Sequence, residues 1–430
     1  MCDTYAPLMT RPRRLSWTSA RFIHRDRDAA FDPDRPKVEK TAVTDPRPGP
    51  LSSLPLPRKR LPAPPAGRGR IRGFEDIRLS VEQAETSLEA AADRLALPRS
   101  GWSSGRFDML AVSGGAAGGA YGAGALVGLT EAGARPEFAL VTGVSTGALI
   151  APFAFLGPAW DERLTDAYTG GHAADLLSLR RLASTLTGSL FRGEALDALI
   201  HPFVDEALID AVAAEHRRGR RLLVATTDLD SQKACIWDMG TIACHGGAEA
   251  VALFREVLAA SASLPGLFPP RRFPCEVDGE PFEEMHVDGG VAAPLFLLPE
   301  ALLRWKRVGR RLQRSRVHIL VNTVLEPEPR TTAQNVAAVL TRSFDAMLRF
   351  SYRQALGVAT TFCAAQGLPI SVAAIPDEPE HGGMLSFDTA TMQRLFEAGR
   401  ERARTGDLWR SPVAEPRGLR SWLERLSPQT

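Results

Sequence analysis

The chain has 430 residues, of which 44% are hydrophobic, and a formal net charge of +2. This length holds one large domain or two of ordinary size, and the near-neutral charge gives no support for nucleic-acid binding. The five cysteines show no C-x-x-C spacing, which argues against a disulfide framework and a zinc site and favours a reducing compartment.

Targeting signals are weak in this sequence. No apolar stretch reaches the roughly 20 residues that span a bilayer, and the basic N-terminal residues Arg11, Arg13 and Arg14 precede no apolar signal core. Cys2 follows only Met1, so no lipid anchor is predicted there. We therefore expect a cytoplasmic or peripheral membrane protein.

The first hundred residues divide into two parts. Residues 1–72 are rich in Pro, Arg and Asp and lack periodicity, which predicts a disordered segment. A solvated tail is favoured there over contact of its basic clusters with anionic lipids. Residues 73–100 carry an apolar stripe at helical spacing, with Ser80 as a cap and Pro98 as a stop, which predicts a helix on the flank of the folded domain.

The folded domain begins with the predicted strand Phe107–Val112, and the glycine-rich run SGGAAGGAYGAGAL follows it at the start of a helix. Free backbone N–H groups at a helix N-terminus make a site for an anion. A phosphate-binding P-loop is disfavoured because the run contains no lysine. A dinucleotide fold is disfavoured because the next strand does not end in an acidic residue.

The next predicted strand, Phe138–Val141, leads into the turn Gly143-Val144-Ser145-Thr146-Gly147 and then into a helix. This is G-x-S-x-G between strand and helix, where Gly143 and Gly147 leave room for a sharp turn that exposes Ser145. A right-handed crossover brings this turn beside the glycine-rich run at one edge of a parallel sheet. Ser145 is thus a candidate nucleophile facing N–H donors, as acyl transfer requires.

The remaining predicted elements are the strand Arg221–Asp230, a partner strand Cys235–Met239, the helix Val251–Ala262, the strand His318–Thr323, a long helix Thr332–Ala365 and the strand Pro369–Ile375. The irregular apolar segment Ser263–Pro270 is read either as a pocket wall for an acyl chain or as a rigid connector. Alternating strands and helices predict an α/β fold with a mostly parallel sheet covered on both faces.

A serine nucleophile needs a base. The order found in α/β-hydrolases places a histidine late in the chain, which leaves His318 and His381 as candidates. Alternatively Asp288, which ends a short strand before two glycines, accepts the proton directly. The residue pattern alone leaves these arrangements open.

Five segments in this order resemble the patatin-like phospholipase family: SGGAAGGAYGAG, GVSTG, TTDLDSQKACIWDMG, ASASLPGLFPP and VDGG. The resemblance covers roughly Phe107–Ala398. It implies a three-layer α/β/α sandwich, with a catalytic domain over 105–398, and a Ser-Asp dyad that works without histidine. The charged, loosely patterned residues 399–430 are interpreted as a C-terminal tail. No cofactor is expected, and no calcium requirement, because the loops show no acidic oxygen-ligand cluster.

Carried across motif by motif, the resemblance implies that Ser145 is the nucleophile and Asp288 the general base. The oxyanion loop is implied to be the backbone of Gly114, Gly115, Ala116 and Gly119. The implied function is a serine acyl hydrolase that cleaves carboxylic ester bonds of lipids, of phospholipase A, lysophospholipase or acylglycerol lipase type. A degenerate lipid-binding protein without catalysis and a Ser-Asp-His esterase are the alternatives.

The sequence departs from the family pattern at three positions. Ala116 replaces a third glycine, Gly118 stands where many members carry a basic residue, and Ala293 stands where some carry Asn. Ala116 still offers its N–H, so we expect the oxyanion site to be kept. The missing basic side chain argues against a strong preference for phosphate headgroups.

Overall fold

A computed structural model of the chain describes residues 60–79, 108–174, 193–296, 315–326, 329, 331–376 and 385–412. All of them belong to one compact unit, Lys59–Thr430.

Within this described part, nine strands form a single sheet. The strands are β1 (Arg78–Leu79), β2 (Asp108–Val112), β3 (Phe138–Val144), β4 (Arg221–Asp228), β5 (Lys233–Asp238), β6 (Arg271–Val277), β7 (Glu280–Asp288), β8 (Arg316–Val321) and β9 (Ile370–Ala374).

The strand order is β1-β5-β4-β3-β2-β8-β9, with β7 also paired to β4 and β6 paired to β7. The strands β4, β3, β2, β8 and β9 run parallel to one another. β5 and β7 pair antiparallel with β4, β1 pairs antiparallel with β5, and β6 pairs antiparallel with β7. The ends of β2 and β3 are adjacent, with Val112 opposite Gly143, so the glycine loop and the serine turn leave the sheet side by side.

The helices are α1 (Gly119–Glu131), α2 (Thr146–Leu156), α3 (Asp161–Thr169), α4 (Gly193–Ile200), α5 (Glu206–Arg217), α6 (Met239–His245), α7 (Gly247–Ser261), α8 (Val336–Gln366) and α9 (Thr389–Arg404). The long α8 begins at an Asn335 cap, whose side chain accepts from the Ala338 N–H, and ends at Gly367 in the left-handed conformation.

Two apolar cores lie on opposite faces of the sheet. In β2, Leu110 and Val112 pack into the core that contains α1 to α7 and α9. Met109 and Ala111 alternate with them and pack against α8 on the other face. The predicted three-layer α/β/α sandwich with a mostly parallel sheet is confirmed.

Glycines within α1 allow it to pack closely against α9. A Cβ on Gly124 would lie 1.9 Å from the Phe396 carbonyl oxygen, and one on Gly399 would lie 2.1 Å from the Tyr121 carbonyl oxygen. The C-terminal half of the glycine-rich run therefore serves helix packing, and only its beginning lies at the sheet edge.

The predicted disordered segment 1–72 is too long at its C-terminal end. Arg60 forms a bidentate ion pair with Asp230. The backbones of Arg70 and Glu276 exchange two N–H···O=C hydrogen bonds, of 3.0 and 2.9 Å. Residues 60–72 thus pack along β6 and β7. Local composition did not predict this because the partners lie some 200 residues away.

The predicted helix over 73–100 also differs from the structure where the structure describes it. Arg78 and Leu79 form β1, paired with Trp237 and Ile236 of β5, while Phe74 and Ile77 are buried. Pairing with a sheet edge outweighs the helical stripe of this segment. The rest of the predicted helix, residues 80–100, lies outside the described residues.

The predicted boundary at residue 399 falls inside α9. The chain continues in contact with the sheet, since Arg410 pairs with Val372 and the Trp409 ring lies 5.0 Å from the His318 ring. The packed domain therefore extends to about residue 412.

The N-terminal segment contributes a buried ion pair whose removal should cost stability. Arg78 lies 2.7 Å from Glu284, whose side chain is only 5% exposed. We expect Arg78→Met to lower the free energy of unfolding in urea by about 3 kcal/mol, because the buried Glu284 carboxylate loses its arginine partner and keeps only the His286 ring, whose Nε2 lies 3.2 Å away.

Arg68→Met is the matched control. Arg68 pairs with Asp278 at 2.7 Å, but both side chains are more than half exposed, at 58% and 79%. The loss there should stay below about 1 kcal/mol. Equal losses in the two variants would contradict the structural role given to Arg78.

Candidate active site

Ser145 lies between β3 and α2 with φ 55° and ψ −128°. A residue with a side chain in this region costs on the order of 1–3 kcal/mol and persists only where its surroundings hold it. The Ser145 N–H donates to Ser261 Oγ at 3.0 Å, and Ser261 Oγ donates to the Ala225 carbonyl at 2.7 Å. Ser261 thus ties the serine turn to β4.

The two glycines of the turn are required by close backbone approach. A Cβ on Gly147 would lie 2.3 Å from the Val112 carbonyl oxygen and 2.5 Å from that of Ser113. A Cβ on Gly143 would lie 2.5 Å from the Gly147 carbonyl oxygen. The G-x-S-x-G spacing therefore reflects a turn pressed against the end of β2.

The glycine loop passes directly beside Ser145. A Cβ on Gly114 would lie 3.0 Å from Ser145 Cβ. Gly115 has φ 154°, and Ala116 has φ 51°, a region that favours glycine. No described residue accepts a hydrogen bond from the N–H of Gly115 or Ala116. Both residues line the same cavity as Ser145, so their N–H groups are available to an anion there.

Gly119 does not share this position. Its N–H donates to the Ala116 carbonyl, and a Cβ on it would lie 2.1 Å from Thr146 Oγ1. Gly119 begins α1 and packs against the residue after the serine. Its bonded N–H does not favour the oxyanion role that the resemblance implies for Gly119.

Asn322 and Ser113 brace the glycine loop. Asn322 donates from its backbone N–H to Ser113 Oγ at 3.0 Å and from Nδ2 to the Ser113 carbonyl at 2.9 Å. Ser113 Oγ donates to the Gly114 carbonyl at 2.7 Å. Asn322 was not among the site residues predicted from the sequence. The feature that could have identified it is a polar residue directly after the apolar strand β8.

Asp288 ends β7, opposite Thr226 of β4. Its N–H donates to the Ser263 carbonyl, and its carbonyl accepts from Thr227 Oγ1, both at 2.9 Å. The carboxylate Oδ1 accepts from the Gly290 N–H at 2.7 Å. Oδ2 forms no hydrogen bond of standard geometry with any described residue. It is therefore available to accept a hydrogen bond or a proton.

Burial is the main influence on the Asp288 carboxyl, which is 2% exposed. It raises the pKa of Asp288 to about 7, while the Ser145 hydroxyl and the Gly290 N–H act in the opposite direction. Ser145 is thus near enough to affect the carboxyl without a hydrogen bond of standard geometry. Catalytic hydrogen bonds of this kind often tighten only when substrate binds.

Ser145 and Asp288 line one cavity of about 70 Å³, several times the volume that a water molecule needs. Thr146 and Tyr352 also contribute to its wall. The rest of the wall is largely apolar and includes Leu149, Leu196, Leu199, Ala262, Leu264, Leu267, Phe268, Leu348 and Phe387. Segment Ser263–Pro270 thus supplies a pocket wall, and Asp288 is the one acidic or basic side chain among the described lining residues.

Of the two candidate histidines, the structure describes only His318, which does not line this cavity. His318 lies in β8, with its ring 5.8 Å from that of Phe138 and 5.0 Å from that of Trp409. His381 lies outside the described residues. In the part of the chain that is described, the carboxylate of Asp288 is therefore the candidate base at the cavity.

The described residues contain no cluster of three or more His, Cys, Asp or Glu side chains suited to a metal ion. No helix among them combines the length and apolar character needed to cross a membrane.

Comparison with known proteins gave one family. Residues 110–299 match the family described as patatin-like phospholipase. The search of curated proteins gave no significant match.

Solved structures of low similarity were also found. VipD from Legionella pneumophila is 12% identical with a TM-score of 0.32, and the alignment covers 70% of this chain and 66% of VipD. Human GIVD cytosolic phospholipase A2 is 13% identical with a TM-score of 0.39, over 79% of this chain and 64% of that one. This chain therefore spans less than two thirds of either protein.

The close packing of the serine turn against β2 makes stability sensitive to a side chain at position 147. We expect Gly147→Ala to lower the free energy of unfolding by about 3 kcal/mol, because the new methyl group collides with two backbone carbonyls. Urea unfolding followed by circular dichroism measures this loss.

Gly357→Ala is the control. Gly357 lies inside α8, and a Cβ there meets no atom within 4 Å. This variant should be more stable by about 0.5–1 kcal/mol, because alanine loses less backbone entropy than glycine in a helix. A neutral Gly147→Ala would contradict the packing of the turn against β2.

Proposed function

Because the chain belongs to the patatin-like phospholipase family, we propose that it hydrolyses carboxylic ester bonds of lipids with Ser145 as nucleophile and Asp288 as general base. One observation carries this proposal: Ser145, Asp288, Gly115 and Ala116 all line a single, largely apolar cavity. A nucleophile, a base and preorganised donors at one point are the parts that acyl transfer needs.

In the first half of the reaction, Ser145 Oγ attacks the ester carbonyl carbon while its proton moves to Asp288. The carbonyl oxygen becomes an oxyanion that accepts from the N–H groups of Gly115 and Ala116. The intermediate then collapses: the bond to the alcohol oxygen breaks, and that oxygen takes the proton from Asp288. The alcohol leaves, and the acyl group stays on Ser145.

In the second half, a water molecule replaces the alcohol. Asp288 accepts a proton from the water, whose oxygen attacks the acyl carbon, and a second oxyanion forms at the same donors. When the bond to Ser145 Oγ breaks, the proton passes from Asp288 to the serine. The carboxylic acid leaves, and the starting state of the enzyme is restored.

The cavity wall supports an acyl chain as the bound group. Leu149, Leu264, Leu267 and Phe268 give apolar contact, and no described lining residue carries a positive charge that would bind a phosphate. We therefore propose that recognition depends on the acyl part of the ester. Phospholipase A, lysophospholipase and acylglycerol lipase activity all fit this arrangement.

The proposed pair is tested by substitution. We expect Ser145→Ala and Asp288→Asn each to reduce kcat on a p-nitrophenyl acyl ester by at least about 10³-fold, because nucleophile or base is removed. We expect His381→Ala and His318→Ala to keep activity within a few-fold of the wild type.

Two outcomes would contradict the pair. Activity that survives Asp288→Asn but is lost in His381→Ala would indicate a histidine-dependent hydrolase. Wild-type protein that neither turns over esters nor reacts at Ser145 with a fluorophosphonate would indicate a lipid-binding protein without catalysis.

The buried carboxyl also predicts a pH profile. Because the pKa of Asp288 is raised to about 7 and the base must be ionised, kcat/KM should fall about tenfold per pH unit below pH 7 and level off above it. Initial rates between pH 4.5 and 9, corrected with Ser145→Ala, measure the midpoint. A midpoint near pH 4, the value of a solvated carboxyl, would argue against Asp288 as base.

A further inference from the structure

A tyrosine hydroxyl reaches the candidate active site from beyond the matched segment. The family match ends at residue 299, whereas Tyr352 lies in the middle of α8 and still lines the cavity with Ser145 and Asp288. Its side chain plays no part in the reaction proposed above.

The hydroxyl lies beside the glycine loop and the nucleophile. A Cβ on Gly114 would lie 2.9 Å from Tyr352 Oη, 3.0 Å from Ser145 Cβ and 3.6 Å from Ser145 Oγ. Gly114 therefore leaves open a small space that Tyr352 and Ser145 face together. Any larger residue at position 114 would fill it.

Tyr352 is 2% exposed, and no hydrogen bond from a described residue acts on its hydroxyl. A hydroxyl in such a position normally has a partner. Because the residue lines the cavity, the donor is available to a group that enters it. Burial foremost, and then the charges of Asp288 and Asp345, raise the pKa of Tyr352, so the hydroxyl keeps its proton at neutral pH.

The ring is held by a well-anchored helix. Arg349 donates to both carboxylate oxygens of Asp345, at 3.1 and 3.0 Å, and also to the Val324 carbonyl after β8. Leu348, one turn before Tyr352, packs in the same core and lines the same cavity. The donor is therefore preorganised, as stabilisation of a transient charge requires.

We propose that the Tyr352 hydroxyl is a side-chain donor to the oxyanion, acting together with the N–H groups of Gly115 and Ala116. This inference rests on the proposed ester hydrolysis. Asp288 carries the negative charge before attack, and the substrate oxygen carries it after the proton has moved. A neutral donor beside the glycine loop stabilises the charge on the substrate oxygen more than the charge on Asp288. It therefore lowers the barrier to attack by Ser145.

Tyr352→Phe removes the donor and keeps the ring. For wild type and variant, kcat and KM are measured on a p-nitrophenyl ester and on an alkyl ester of the same acid. We expect kcat to fall about 10²-fold on both esters, as for the loss of one oxyanion donor, with KM within about twofold. The pH midpoint should stay where it is in the wild type, because the base is untouched.

Tyr168→Phe is the matched control. The Tyr168 hydroxyl is also buried, but it is bonded to Thr146 Oγ1 at 3.1 Å and does not line the cavity. This variant should unfold at lower urea concentration without the 10²-fold loss in kcat. Tyr352→Phe should instead lose kcat and unfold at the same urea concentration as the wild type, since its hydroxyl has no partner to lose in the free protein.

Three outcomes would overturn the assignment: a kcat for Tyr352→Phe within twofold of wild type, a loss confined to the alkyl ester, or a shifted pH midpoint. The second would mean that the hydroxyl assists the leaving group, and the third that it acts through Asp288. All three outcomes are measured against the activity of the wild-type protein. A wild type that is inactive on both esters would instead overturn the proposed hydrolysis.

Discussion

The backbone conformation of Ser145 is the constraint on which the rest of the site depends. A serine at φ 55° is stable only because Gly147 presses against the carbonyls at the end of β2 and Ser261 accepts the serine N–H. These contacts join β3, β2 and α7 at one point. The same contacts that allow the strained turn also place the glycine loop within reach of the serine side chain.

Burial then sets the chemistry of the groups that meet there. Asp288 is held by backbone hydrogen bonds at the end of β7, where little water reaches it, and its pKa rises to about 7. The low polarity that raises this pKa also strengthens hydrogen bonds to a developing negative charge. A base that works near neutral pH and effective oxyanion donors are thus two results of one apolar cavity.

The parts of the fold that were predicted well are those with local signals. The apolar strands around Leu110, Val141 and Leu223, the helix after Ser145 and the long α8 all follow from periodicity and from flanking glycines. The errors have a common physical cause. Arg60, Arg78 and α9 are held by partners far along the chain, namely Asp230, Glu284 and the glycines of α1, and no local pattern reveals such pairings.

By itself, the sequence determined the local features: a serine flanked by glycines between a strand and a helix, a glycine-rich loop, and an aspartate at a strand end. Chain sterics and periodicity act over a few residues, so they are readable there. Only the tertiary structure decided that Gly115 and Ala116 keep open N–H groups while Gly119 does not. Burial of Asp288 and the approach of Tyr352 were likewise decided there, because they depend on which distant segments exclude water from one cavity.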